Sequence, residues 1–297
     1  MLNTSNLTTE SRNNATMQLD NLSIAEFLSV MNAEDAKVAE AVKKELPVIR
    51  KVVIAAINAF RQRGRLIYIG AGTSGRLGIL DAAECIPTFG TPPEMVKGVI
   101  AGGQKAIQSA VEGAEDNELL AKVDLSRLQV GPRDMVIGIS ASGRTPYVIS
   151  GLKHAKKFGA MTVSISCKKR AVMSRHANLS IEADVGLEVL AGSTRLKAGT
   201  AQKMILNMIS TASMIGIGEF YKNLMADVQP TNEKLIERSK RIIAEAAEID
   251  LLSAEQYYKK ANGHVKKAII MALLQCDLPT AEKRLAKSSG IVRSALS

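Results

Sequence analysis

The stretch RLIYIGAGTSGR, residues 65–76, decides how the rest of the chain is interpreted. Four apolar residues run into a turn with three glycines, and apolar residues at helical spacing follow. This order is typical of a parallel strand that ends at a helix N-terminus, where backbone N–H groups and the helix dipole favour an anion. The glycine spacing G-x-G-x-x-G also occurs in dinucleotide-binding loops, but no acidic residue ends a second strand about 20 positions later. We therefore expect Gly72, Thr73, Ser74 and Arg76 to form a loop for a phosphate or a sugar.

The composition is that of an ordinary globular protein, with 46% apolar and 23% charged residues. The net charge of +10 fits the steering of an anionic substrate or nucleic acid, and equally a solvated basic surface. Aromatic residues make up only 3%, and there is no Trp, so the chain has few of the aromatic side chains on which nucleic-acid bases usually stack. We expect no nucleic-acid partner.

Cysteine usage and hydropathy indicate the compartment. The three cysteines are far apart and form no C-x-x-C pair, which predicts neither a zinc site nor a disulfide framework. No apolar stretch is long enough to span a bilayer, and the N-terminus lacks an apolar core of the signal-peptide type. We expect a cytoplasmic protein with reduced cysteines, without a metal site and without a membrane partner.

Strand and helix patterns alternate through the middle of the chain, which predicts an α/β fold with a parallel sheet flanked by helices. Right-handed crossovers would place the loops after the strands along one edge. The predicted strands are residues 65–69, 96–100, 135–139, 161–165 and 179–183, and the helices between them are residues 75–83, 104–111 and 146–157.

Helical patterns flank this domain on both sides. Residues 1–22 are polar and predict an arm that needs a partner surface to become ordered. Ser23 with Glu26 predicts a capping box, and Pro47 is expected to divide the helix that follows. The C-terminal pattern predicts a small all-α appendage. The expected parts are an N-terminal helical arm at 1–47, the α/β domain at 48–226, with a long helix at 197–222, and, after a turn at 229–232, four helices within 227–297.

A second polar loop, SASGRT, ends the third predicted strand at residues 140–145. The hydroxyls of Ser140, Ser142 and Thr145, together with the backbone at Gly143, can donate several hydrogen bonds to one phosphate. No Walker lysine follows, so nucleotide hydrolysis is not indicated. A capping cluster of hydroxyls without a ligand is the alternative.

These two loops together resemble the sugar isomerase (SIS) family of phosphosugar-binding domains. Three further stretches are similar to the N-acetylmuramic acid 6-phosphate etherases: GTSGRLG at 72–78, DAAEC at 81–85 and EVLAGSTRLKAGT at 188–200. The last stretch is also shared with the glucokinase regulatory protein. The resemblance extends over nearly the whole chain.

The resemblance implies a lyase that cleaves the D-lactyl ether of N-acetylmuramic acid 6-phosphate, an anionic phosphosugar, without a cofactor. It implies Glu84 as the acid, Glu115 as the base that removes the C2 proton, and Ser193 as a substrate contact. It also implies a homodimer. The apolar neighbours of Glu84 are expected to raise the pKa of its carboxyl group and keep it protonated. Lys197, close to Ser193, is expected either to contact an anion or to flank the long helix.

Two rival functions belong to other classes. A non-catalytic phosphosugar sensor would resemble the glucokinase regulatory protein, but that protein carries two such modules and 297 residues hold only one. An aldose–ketose isomerase could use the same base to move the C2 proton to C1. The stretch around Ser193, together with Glu84 beside the first loop, favours the etherase over both.

Overall fold

The computed structural model describes residues 11–227 and 233–297, so the predicted turn at 229–232 and the first ten residues of the predicted arm lie outside the described residues. Within these ranges, three α-helices precede the sheet: α1 (Ile24–Asp35), α2 (Lys37–Lys43) and α3 (Leu46–Arg61). The capping box at the start of α1 is confirmed. Pro47 lies in the first turn of α3, which confirms the division of the helix there.

The described part of the arm is ordered by contacts within the chain. It forms two short 3-10 helices, Asn14–Thr16 and Leu19–Asn21. The Thr16 hydroxyl donates to the Val189 carbonyl oxygen at 2.9 Å, and the Asn13 amide donates to the Leu187 carbonyl oxygen at 3.4 Å. The surface that orders this part of the arm therefore belongs to the same chain.

The predicted parallel sheet is confirmed. Its strands are β1 (Leu66–Gly70), β2 (Val96–Ile100), β3 (Met135–Ile139), β4 (Met161–Ser166) and β5 (Leu179–Glu182). They lie in the order β2-β1-β3-β4-β5, and all pairs are parallel. β1 and β3 are buried along their whole length, as the near-continuous apolar sequences of sheets covered on both faces require.

The helices between the strands differ from the prediction in several places. They are α4 (Gly72–Phe89), α5 (Lys105–Gln108), α6 (Glu118–Arg127), α7 (Pro146–Lys157) and α8 (Lys197–Ile217). α4 begins earlier and continues further than predicted. α6 was not predicted because its sequence has little apolar periodicity, but the side chain of Asn117 caps it through the Leu120 N–H. α8 ends before Gly218, which has a φ of +96°, so the prediction that this helix reaches residue 222 was wrong.

Side chains of β1 alternate between the two faces of the sheet. Ile67 and Ile69 belong to a buried cluster with residues of α7. Tyr68 faces the other way, and its hydroxyl donates to the Asp81 carboxylate on α4 at 2.8 Å. Ser210 on α8 donates to the same carboxylate at 3.0 Å, and burial raises the pKa of Asp81. This buried network fixes α4 and α8 against the central strand.

The described residues form two compact units. One comprises the residues up to Ala83 together with Glu94–Ser210, and the other comprises Glu84–Pro93 together with the residues from Thr211 onward. The second unit contains a short antiparallel pair, β6 (Phe220–Tyr221) and β7 (Leu224–Met225), and an apolar core within its helices. Those helices are α9 (Glu233–Ala247), α10 (Leu251–Lys260), α11 (Val265–Leu274), α12 (Leu278–Lys287) and α13 (Val292–Ala295). The last of them was not predicted, and the three-part division expected from the sequence stays a prediction.

Candidate active site

The order of the strands creates a crevice in the first unit. The chain passes from β1 to β2 on one side and continues to β3 on the other side of β1, so a topological switch point lies between β1 and β3. Gly70 is in register with Ile139 at the carboxyl ends of these strands. The loops that follow β1 and β3 therefore leave the sheet side by side, and these loops carry most of the predicted substrate contacts.

The glycines of the first loop permit a close approach of strand and helix. A Cβ on Gly70 would lie 2.7 Å from the Gly75 nitrogen, and a Cβ on Gly75 would lie 2.8 Å from the Gly70 oxygen. Neither position has room for a side chain, and Gly72 opens α4 with a φ of +52°. The glycine spacing is thus explained by packing of α4 on β1, without a dinucleotide.

The hydroxyls of this loop have different environments. The buried Ser74 hydroxyl donates to the side-chain oxygen of Gln202 on α8 at 3.0 Å. Thr73 is half-buried and packs near Gly199, where a Cβ would lie 3.5 Å from its methyl group. Sequence reasoning missed Gln202, because an isolated glutamine on a helix belongs to no motif. Substrate contacts by Thr73 and Ser74 stay predictions, and the Ser74 hydroxyl already has a partner.

The second loop gathers its hydroxyl groups as predicted. We call Ser140, Ser142, Gly143 and Thr145 the hydroxyl loop. The Ser140 hydroxyl oxygen lies 2.8 Å from that of Thr145 and 3.4 Å from that of Ser142, and it accepts the Gly143 N–H at 3.1 Å. Gly143 has a φ of +66°, and a Cβ there would lie 2.4 Å from that of Ala171. Only glycine fits this turn, which aims the hydroxyls at the start of α7.

A cavity of ≈ 260 Å³ lies beside the first loop. Its lining includes Gly72 and Arg76 on one side and the exposed Glu112 and Glu115 on the other. The Glu115 carbonyl oxygen accepts the Tyr147 N–H in the first turn of α7 at 3.0 Å. The segment with Glu115 is thereby fixed to the helix that the hydroxyl loop begins. The structure brings Glu115 together with the first loop, while the hydroxyl-loop side chains do not line this cavity.

Glu84 lies on the outer face of α4. Helical periodicity directs Ala82 and Cys85 inward, where both are buried, and turns Ala83 and Glu84 outward, where both are exposed. The buried Ala82 and Cys85 therefore do not enclose the Glu84 carboxyl group, because neighbours in the sequence need not share a helical face. The apolar surroundings expected for Glu84 stay a prediction.

Lys197 is a structural residue. Its side chain is 1% exposed, and its Nζ lies 2.6 Å from Oε2 of the buried Glu34. The buried Glu188 accepts the N–H groups of Lys197 and Ala198 at 3.0 and 2.9 Å, which caps the N-terminus of α8. We call Glu34, Glu188 and Lys197 the helix clamp. An anion contact by Lys197 is excluded by this burial.

The charge of Glu34 depends on its partners. Burial alone opposes its ionisation, but hydrogen bonds and charges of Lys197 and Lys37 outweigh that effect and lower the pKa of Glu34 to about 2. Ser193 is half-buried in the turn before α8, where its N–H donates to the Leu190 carbonyl oxygen at 3.0 Å. It does not line the cavity. Its role as a substrate contact stays a prediction.

Among the described residues, no group of three or more His, Cys, Asp or Glu side chains could hold a metal ion. Within the same residues, no helix is both long enough and apolar enough to cross a membrane.

Comparison with known families finds two overlapping matches. The model described as the glucokinase regulatory protein N-terminal SIS domain matches residues 48–156, and the SIS domain model matches residues 112–212. The matched residues include both loops and the segment with Glu115. The SIS-type fold expected from the two loops is confirmed.

Comparison with individual proteins extends the similarity to almost the full chain. An N-acetylmuramic acid 6-phosphate etherase of Geobacillus sp. (strain WCH70) is 62% identical over 290 residues, which is 98% of each chain. That of Bacillus cytotoxicus is 63% identical over 98% of this chain and 99% of its own. A solved phosphoheptose isomerase from Neisseria gonorrhoeae aligns with a TM-score of 0.51 at 14% identity, over 64% of this chain and 99% of that one. At that identity the likeness shows the fold alone.

Proposed function

Because the chain belongs to the N-acetylmuramic acid 6-phosphate etherase family, we propose that it cleaves the D-lactyl ether of N-acetylmuramic acid 6-phosphate. The products are N-acetylglucosamine 6-phosphate and D-lactate, a lyase reaction of cell-wall amino-sugar recycling. The identity of 62% over 98% of the chain carries this proposal. We place the reaction in the cytoplasm, since three free cysteines suit a reducing compartment.

The chemistry needs one base, one acid and a held phosphate. An alkoxide is a poor leaving group, but the ether oxygen is β to the aldehyde carbon once the sugar ring has opened. Removal of the C2 proton forms the C2–C3 double bond while the C3–O bond breaks, and the lactate oxygen takes a proton as it leaves. Water then adds to the unsaturated aldehyde, placing its oxygen at C3 and a proton at C2. The electron pairs balance without a redox partner.

We assign Glu115 as the base and the hydroxyl loop as the phosphate site. Glu115 is exposed at the cavity, and its segment is bonded to the first turn of α7 through Tyr147. The hydroxyl loop offers O–H donors at the start of the same helix. This arrangement supports a substrate whose phosphate occupies the hydroxyl loop while its C2 carbon reaches Glu115.

We assign Glu84 as the acid that protonates the departing lactate oxygen and later activates water. Leu80 lies one helical turn before Glu84 and is 50% exposed, so an exposed apolar side chain shares the helical face of this carboxyl group. We propose that the protein is a homodimer in which a second copy covers part of this surface. Such cover would supply the apolar surroundings that keep an acid protonated.

The test measures D-lactate release from N-acetylmuramic acid 6-phosphate with EDTA present, and hydrogen exchange at C2 in deuterated water. We expect Glu115→Gln to lose both activities by roughly 10²–10⁴-fold, the usual contribution of a general base. Glu84→Gln should lose lactate release by a similar factor while retaining exchange at C2. Glu112→Gln removes another carboxylate from the same cavity and should change neither rate more than about threefold, within the spread of a residue outside the chemistry.

Three results would contradict the proposal. Phosphosugar binding without turnover by the folded wild-type protein would indicate a sensor. Interconversion of an aldose and a ketose phosphate without lactate release would indicate an isomerase. Equal losses in Glu112→Gln and Glu115→Gln would remove Glu115 from the role of base.

A further inference from the structure

One cation lines the cavity that contains the proposed base. Arg76 is half-buried on α4, and its Nε donates to the Ile107 carbonyl oxygen at 2.9 Å. That bond fixes the orientation of the guanidinium from its Nε edge. Among the described residues, no carboxylate forms an ion pair with Arg76, although Glu112 and Glu115 line the same cavity. The Nη atoms therefore remain available for an anionic ligand.

The proposed substrate carries two anionic groups at opposite ends. The phosphate is on C6, and the carboxylate belongs to the lactyl group on C3. The hydroxyl loop suits the phosphate, because its donors gather at the N-terminus of α7. The lactyl carboxylate then needs a separate partner, and it must enter a cavity that already holds two carboxylate side chains.

Bond connectivity limits where that partner can lie. C3 is bonded to C2, so the group that holds the lactyl substituent must be close to the base that acts at C2. Arg76 and Glu115 meet this condition, since both line one cavity of ≈ 260 Å³. A guanidinium presents paired N–H donors that match the two oxygens of a carboxylate, which an ammonium group cannot reproduce.

We propose that Arg76 binds the lactyl carboxylate and selects the muramic acid substrate over other hexosamine phosphates. This proposal rests on the etherase function. It has a consequence for turnover: N-acetylglucosamine 6-phosphate lacks the carboxylate, so the sugar product loses the Arg76 contact once lactate has left. Arg76 therefore favours binding of substrate over retention of product.

The test compares Arg76→Gln with the wild-type protein on three ligands that differ at C3. They are N-acetylmuramic acid 6-phosphate, its lactamide analogue, in which a neutral amide replaces the carboxylate, and N-acetylglucosamine 6-phosphate. We expect Arg76→Gln to lower kcat/KM for the acid by about 10- to 100-fold, in keeping with loss of charge-assisted hydrogen bonds. Its kcat/KM for the lactamide and its inhibition by N-acetylglucosamine 6-phosphate should stay within about threefold of wild type. The preference for acid over amide should therefore collapse.

Two variants control for fold and charge. Arg76→Lys keeps the charge but loses the paired donors, and should retain an intermediate preference. Lys105→Gln removes an exposed cation from the neighbouring α5, outside the cavity lining, and should leave the preference at its wild-type value. Urea unfolding curves of all variants show whether each is folded.

Two outcomes would overturn the assignment. If Arg76→Gln weakens the binding of N-acetylglucosamine 6-phosphate as much as that of the acid substrate, Arg76 contacts the phosphate or the sugar ring. If the preference for acid over amide is unchanged, the carboxylate binds elsewhere. Failure of the etherase function itself looks different, because the wild-type protein would release no lactate. Calorimetric affinities for acid and amide would still decide the role of Arg76 in that case.

Discussion

The hydroxyl loop and the helix clamp are both polar motifs of the first compact unit, yet their polar groups have opposite environments. In the clamp, the Lys197 ammonium group meets a buried carboxylate of Glu34, and Glu188 accepts two backbone N–H groups. In the hydroxyl loop, the half-buried Ser142 and Thr145 hydroxyls contact mainly the Ser140 hydroxyl. The clamp is complete without a ligand, whereas the loop keeps donors that a ligand can use.

This difference shows why motif membership does not separate folding residues from binding residues. Each motif contains a type of group that binds phosphate in many proteins, a lysine in the clamp and hydroxyls in the loop, and both motifs lie near a helix N-terminus. The helix end of α8 is already satisfied by the Glu188 carboxylate. The start of α7 has no side-chain cap from Thr145. A helix end that lacks an internal anion is the one that can accept a phosphate.

Lys197→Met in the helix clamp is expected to have the largest effect, a loss of unfolding free energy. This change removes the buried ammonium group and leaves the Glu34 carboxylate buried beside only the exposed Lys37. Breaking a buried pair in this way costs roughly 3–5 kcal/mol of unfolding free energy. Urea unfolding measures the loss. Lys203→Met on the exposed face of the same helix is the matched control and should stay within about 0.5 kcal/mol.

A stable Lys197→Met variant with impaired phosphosugar binding would reverse this assignment. It would mean that Lys197 serves the ligand and that its pairing with Glu34 contributes little to stability. The helix clamp and the hydroxyl loop would then no longer differ in kind.

The second expected effect is a pH dependence of stability that arises in the helix clamp and not in the hydroxyl loop. The pKa of Glu34 is about 2 in the folded protein, below its ordinary value of 4.5, so its contribution is present above pH 4.5 and lost as the pH falls through about 2. A shift of this size corresponds to roughly 3 kcal/mol of unfolding free energy. The double variant Glu34→Met/Lys197→Met should lose that part of the acid dependence. Ser142→Ala should retain it, because a hydroxyl does not titrate there.

The measurement is urea unfolding of the wild-type protein, the double variant and Ser142→Ala between pH 5 and about 2, the range in which the Glu34 carboxylate gains its proton. Parallel curves for the wild-type protein and the double variant would show that Glu34 does not contribute to acid stability.

The fold could be predicted where one physical signal was strong and local. Five runs of apolar and β-branched residues marked the five strands, and the capping box at Ser23 marked the start of α1. α6 could not be predicted, since its helix depends on the Asn117 cap and on packing against α7 rather than on an apolar stripe. The ends of α4 and α8 likewise depend on tertiary context, which overrides local propensity.

The residue types of the candidate site could be predicted from the sequence, but the side chains with which they pair could not. Spacing and residue type identified both loops, and the resemblance supplied Glu84, Glu115 and Ser193. Sequence could not show that the Ser74 hydroxyl pairs with Gln202, 128 positions away, or that Lys197 pairs with Glu34, 163 positions away. Such pairings depend on which elements the topology brings together.

The smallest expected effect, from Ser142→Ala, is the one that tests the hydroxyl loop most directly. Among the described residues, the Ser142 hydroxyl makes only long hydrogen bonds, at 3.4 Å to the Ser140 hydroxyl and to the Arg144 N–H. Its removal should change the unfolding free energy by less than about 0.5 kcal/mol, yet weaken N-acetylglucosamine 6-phosphate binding by roughly 3- to 10-fold, the usual worth of one hydrogen bond. Calorimetry measures the affinity, and Ser29→Ala, which removes an exposed hydroxyl from α1, is the control.

A loss of more than about 1 kcal/mol of stability with unchanged affinity would favour the capping cluster, because a cap contributes to folding and not to ligand binding. The hydroxyl loop would then belong with the helix clamp, and the phosphate site would have to lie elsewhere along the carboxyl edge of the sheet.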